Sequence, residues 1–107
     1  MSVIKEIDAV TLKDWMDRGS AVVVDVRGES EYRTAHIPGA ILRPLGTFML
    51  SDIDHAGKKI VFQCRAGQRS MMACQQVAAS VPAGEEIYSL RGGIDSWVSQ
   101  NYEIERK

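Results

Sequence analysis

The chain has 107 residues, 45% of them apolar, enough to close one core between layers of secondary structure and to form one domain over residues 1–107. Thirteen basic and fourteen acidic residues leave a net charge of −1, and no Lys or Arg cluster offers a surface for nucleic acid or an anionic membrane. The longest apolar runs, residues 21–24 and 71–74, exclude a transmembrane helix, and the early charges of Lys5 and Glu6 argue against a signal peptide, so a cytoplasmic setting is expected.

Elements alternate between β-rich and helical patterns, and the strands read as continuous apolar runs, the mark of a parallel sheet covered on both faces in an α/β fold. A strand at residues 4–7 precedes a helix over 11–18, capped by Thr11 with Asp14 three residues on and ended by Gly19. Leu12, Trp15 and Met16 form its buried stripe. Residues 21–25 (Ala-Val-Val-Val-Asp) are the clearest buried strand. A short helix after Ser30, a turn at residues 36–40 and a brief strand at Ile41 and Leu42 follow, and the stretch to Lys59 carries no clear period.

Residues 60–63 form the next strand, which runs into the loop Cys64-Arg65-Ala66-Gly67-Gln68-Arg69. A helix is predicted over 70–81, with Met71, Cys74, Val77, Ala78 and Val81 on one arc and Pro82 and Gly84 closing it. Residues 86–90 read as the last strand, and Gly92-Gly93 turns the chain into a final helix whose Ile94, Trp97 and Val98 face inward.

Cys64 and Cys74 are the two cysteines, without a C-x-x-C pair, so neither a disulfide framework nor a zinc site is indicated. Their settings differ. Cys74 belongs to a buried helical stripe, the usual place of an inert thiol. Cys64 ends a buried strand ahead of a glycine-containing loop and a helix, where backbone N–H groups converge and the helix dipole favours negative charge. That setting favours the thiolate, the reactive form of cysteine. Gly67 eases the tight loop, and Arg65 and Arg69 supply positive charge that would hold an anionic sulfur donor against a thiolate.

Three ordered motifs resemble those of the rhodanese family of thiosulfate sulfurtransferases, in its single-domain form. Asp25-Val26-Arg27, Glu31-Tyr32 and His36-Ile37-Pro38-Gly39-Ala40 resemble the family's first motif, residues 64–70 its active-site loop, and Leu90-Arg91-Gly92-Gly93-Ile94 with Trp97 its closing motif. The resemblance implies a rhodanese-like sheet of about five parallel strands with helices on both faces. It also implies that Cys64 carries a persulfide and that backbone amides of the loop surround it. Arg65, Ala66, Gly67, Gln68, Arg69 and Ser70 are then the substrate-binding residues. Ala35 departs from the glycine that commonly precedes the histidine.

The reaction this implies has two steps: Cys64 takes the outer sulfur of thiosulfate or a related sulfane donor, and a thiol or cyanide then removes it. No metal or organic cofactor is required. The partners are the small-molecule donor and acceptor or, for a domain of a longer chain, a sulfur-accepting protein. Asp25 and Arg27 leave two readings open, support of the active loop or a purely local role. His36 is assigned to its turn, His55 to solvent, and Trp15, Trp97, Met49, Met71 and Met72 to packing or exposure.

Phosphatases and arsenate reductases of related fold place five residues between cysteine and arginine. Four separate Cys64 from Arg69 here, and the smaller cradle favours a single sulfur over a tetrahedral oxyanion.

Overall fold

The run Ala-Val-Val-Val at residues 21–24 is unbroken because side chains alternate between faces of a sheet and both faces of this one are covered. The structure, a computed structural model, describes residues 3–106. Its five strands are β1 (Val3–Ile7), β2 (Ala21–Asp25), β3 (Ile41–Leu42), β4 (Lys59–Gln63) and β5 (Glu86–Leu90). They are all parallel, in the order β1-β5-β4-β2-β3. The helices are α1 (Ala9–Asp17), α2 (Glu29–Thr34), α3 (Gln68–Val77) and α4 (Gly93–Ser99).

Two apolar clusters flank the sheet. Val24, Ile60, Phe62 and Ile87 meet Ala73, Cys74 and Val77 of α3 on one face. Val23, Val61, Tyr88 and Leu90 meet Ala9 and Leu12 of α1 and Ile94 and Trp97 of α4 on the other. Val24, Val61, Phe62, Leu12 and Leu90 are all 0% exposed. Each such side chain contributes roughly 2 kcal/mol.

Local chemistry shifts several expected boundaries. The first helix starts at Ala9 because Asp8 is the cap: its Oδ1 accepts the Thr11 N–H at 2.8 Å. The helix expected from residue 70 begins at Gln68, behind Gly67 in the left-handed region, and its α-helical part ends at Val77, followed by a 3-10 turn at Ala78–Ser80. Val98, expected to face inward, is 48% exposed; Ile94 and Trp97 carry the buried side of α4. In the unassigned stretch, a 3-10 turn at Leu50–Asp52 is tied by the Asp52 carboxylate, which accepts the Met49 N–H at 2.8 Å. Such a local turn leaves no period to read.

Ala35 has φ −167° and ψ 136°, extended backbone open to any residue, so glycine is not required conformationally there. Among the described residues no helix is long and apolar enough to cross a membrane.

Candidate active site

In a parallel α/β sheet the loops that bind ligands gather at the carboxyl ends of the strands. Here those ends bring together Asp25 at the end of β2 with Arg27 just beyond it, Cys64 after β4 and Arg91-Gly92-Gly93 after β5. The loop is held from outside. The Ile94 N–H donates to the Cys64 carbonyl at 2.8 Å and the Asp95 N–H to the Arg65 carbonyl at 3.1 Å, while Gln63 Nε2 donates to the Cys64 carbonyl as well. With those carbonyls engaged, the loop's own amides turn inward. The N–H groups of Gly67 and Ser70 point at Cys64 Sγ, at 3.1 and 3.4 Å. Gly67 adopts φ 110°, and a Cβ there would touch the backbone of Leu90 and Gly92.

Cys64 is 1% exposed, and burial by itself raises a thiol's pKa. The Ser70 hydroxyl and the amides of Ser70, Gly67 and Ala66 outweigh it, so the thiol lies below its ordinary value. Stabilisation of the anion thus comes from fixed dipoles around the sulfur.

The arginines are less available than their spacing suggests. Arg69 forms a two-pronged ion pair with Glu31 of α2, at 2.8 and 3.0 Å. Arg65 is 72% exposed and meets Asp95 only at 3.5 Å. Arg91 is 62% exposed and 3.8 Å from Glu6, on the surface. Ala66 and Gln68 are exposed, and Ser70 is buried.

The Arg69 guanidinium drives the Glu31 carboxyl from 4.5 to about 2, against the opposing effect of partial burial. A carboxyl depressed by folding stabilises the native state fully above its unfolded pKa, 4.5, and loses that contribution as pH falls through about 2. Glu31→Gln is therefore expected to cost about 1 kcal/mol at pH 7, a value reduced for the pair's partial exposure. Urea denaturation of both proteins should show the gap closing toward pH 2; a gap independent of pH would assign the loss to something other than the ion pair.

Asp25 and Arg27 form a buried pair, with Arg27 Nη2 2.7 Å from Asp25 Oδ2 and also 2.7 Å from the Ala35 carbonyl. The pair fixes the segment that carries α2, and Glu31 of α2 grips the loop. His36, 3% exposed, stacks on Tyr32 at 3.8 Å, and its Nδ1 lies 2.8 Å from the Tyr32 carbonyl. Cys74 lies on the buried face of α3, its thiol pushed up to about 12 by burial. A cavity of about 590 Å³ opens at the amino ends of β4 and β5, lined by Leu50, Ile53, Ile60, Val81 and Ile87 and by none of the loop residues.

Four residues shaping this site were not singled out as site residues from sequence. Glu31 was legible only as part of a motif; its partner is 38 positions away. Gln63 reads as the polar end of a strand. Gly93 reads as a turn, yet a Cβ there would stand 2.2 Å from the Cys64 carbonyl oxygen. Ser89 carried one faint signal, a hydroxyl inside an otherwise buried strand. Its Oγ is 2.7 Å from Ser70 Oγ.

The chain is 35% identical over 94 residues to the HTH-type transcriptional regulator Rv0324 of Mycobacterium tuberculosis, covering 84% of this chain but only 41% of the regulator. It is 29% identical over 105 residues to a sulfurtransferase of Allochromatium vinosum, covering 95% of each. The crystal structure of a rhodanese-related protein from Thermoplasma volcanium superposes with a TM-score of 0.81 at 25% identity, covering 96% of this chain and 99% of that one. The rhodanese-like domain model matches residues 8–100, every element from α1 to α4, and with it this chain belongs to the rhodanese-like domain family.

Proposed function

We propose that the chain is a sulfurtransferase that carries a sulfane sulfur on Cys64. The observation that carries the reading is the convergence of the Gly67 and Ser70 amides on Cys64 Sγ in a loop that places only four residues between Cys64 and Arg69. The Cys64 thiolate attacks the outer sulfur of thiosulfate. A new S–S bond forms, the donor's S–S bond breaks, and sulfite leaves with the electron pair. The product, a persulfide anion, is stabilised by the amides that stabilised the thiolate. A thiol or cyanide then attacks the terminal sulfur and restores the Cys64 thiolate.

Arg65 meets the donor's anionic end at the mouth, and Arg69, held by Glu31, positions the loop. That pairing also speaks against phosphoryl or arsenate chemistry, because the guanidinium fork that would grip a tetrahedral oxyanion is occupied by a carboxylate.

Incubation with thiosulfate followed by intact-protein mass spectrometry should add one sulfur, removable by a reductant, to the native protein and none to Cys64→Ser. Folded native protein that stays unmodified would refute the reading. A second reading is favoured by the Mycobacterium relative, of which this chain spans less than half: a sulfur-carrying domain of a longer protein. It shares the Cys64 chemistry and differs in delivering the sulfur to an attached or docked protein.

A further inference from the structure

Ser70 has more neighbours than protons. A serine hydroxyl carries one hydrogen to donate and two lone pairs to accept with. Ser70 Oγ lies 3.0 Å from the Gly67 carbonyl oxygen, 3.6 Å from Cys64 Sγ and 2.7 Å from Ser89 Oγ. The Gly67 carbonyl only accepts. The sulfur donates as a thiol and accepts as an anion.

With a neutral thiol all three contacts are satisfied at once: S–H donates to Ser70, Ser70 to the Gly67 carbonyl, and Ser89 to Ser70. With an anionic sulfur, two acceptors compete for the single Ser70 proton, and Ser89 is the neighbour able to donate to Ser70. In both states the proton between the serines belongs to Ser89. Ser89 is 0% exposed on β5, opposite Phe62 of β4 and beneath the loop, where water cannot replace it. A hydroxyl that accepts a hydrogen bond is also a stronger donor.

We propose that Ser89 is a positioning residue that acts through Ser70, fixing the Ser70 proton so that it turns from the Gly67 carbonyl to Cys64 Sγ when the sulfur becomes anionic. The inference rests on Cys64 being the nucleophile, and it extends to the persulfide anion, whose inner sulfur occupies the same place.

The test is the pH dependence of iodoacetamide alkylation at Cys64, read by peptide mass spectrometry, in native protein, Ser89→Ala, Ser70→Ala, the double variant and Ser89→Thr. Ser89→Ala should move the midpoint upward and slow alkylation at pH 7 about threefold, and Ser70→Ala about tenfold. The double variant should be no slower than Ser70→Ala, since Ser89 then has nothing to act through. Ser89→Thr, which keeps the hydroxyl, should recover most of the native rate. A midpoint unchanged in Ser89→Ala, or an equal further slowing when Ser89→Ala is added to Ser70→Ala, would overturn the proposal and reduce Ser89 to packing. Failure of native protein to take sulfur from thiosulfate would instead refute the transfer reaction and leave this midpoint shift standing.

Discussion

Gly93→Ala is expected to lower the free energy of unfolding by about 4 kcal/mol and to abolish sulfur uptake with it. Two costs combine at this position. Gly93 adopts φ 54°, in the left-handed region, which disfavours any side chain by roughly 1 kcal/mol or more. The larger cost is steric. An added Cβ would stand 2.2 Å from the Cys64 oxygen, 2.4 Å from the Arg65 oxygen and 2.5 Å from the Arg65 carbonyl carbon. All three are backbone atoms with no rotamer to retreat into, so α4 must move off the loop. That breaks the contacts from Ile94 and Asp95 that turn the loop's amides toward the sulfur. Gly19→Ala is the control: its φ is 67°, but nothing lies within 4 Å of the new Cβ, so it carries the conformational cost alone. Urea denaturation of both variants separates the costs. Equal losses would show that the close approach of α4 to the loop does not constrain residue 93.

Alkylation of the native protein at pH 7 is expected to label Cys64 and leave Cys74 untouched. The Cys64 thiol lies below 9.0 because hydrogen bonds from Ser70, Gly67 and Ala66 outweigh its burial, whereas burial pushes Cys74 to about 12 with little to offset it. At neutral pH the thiolate fraction of Cys64 then far exceeds that of Cys74, and the thiolate is the species that reacts. Peptide mass spectrometry after brief iodoacetamide treatment should find modified Cys64 alone, with Cys74 labelled only once the protein is unfolded in urea. Comparable labelling of both in native protein would sink the assignment of distinct environments.

The parallel sheet was readable because its strands are covered on both faces, leaving the unbroken run of residues 21–24 and its counterpart at residues 60–62. The ends of helices were less readable. The boundary at Ala9 depends on whether Asp8 or Thr11 turns its oxygen to the free amides, and both are good capping residues. Val98 sits one position beyond the stripe that Ile94 and Trp97 establish. In a helix of two turns, that small angular difference decides between core and solvent.

The Cys64 loop was legible from sequence for a physical reason: the sulfur and the amides that face it lie within seven consecutive residues, so their convergence is a property of one short turn entering one helix. The setting of Cys64 among loop amides, the burial of Cys74 on α3 and the covered sheet all follow from such local patterns. Tertiary structure alone decided which charges remain free around the sulfur. The spacing alone makes Arg69 a donor-binding cation, whereas in the fold both prongs of its guanidinium meet Glu31, 38 positions away on α2. The Ser70–Ser89 contact and the seating of Gly93 on the Cys64 carbonyl likewise join separate strands and helices. Pairings between distant segments exist only after the elements pack, and here those pairings place the charges, the hydroxyls and the backbone around Cys64.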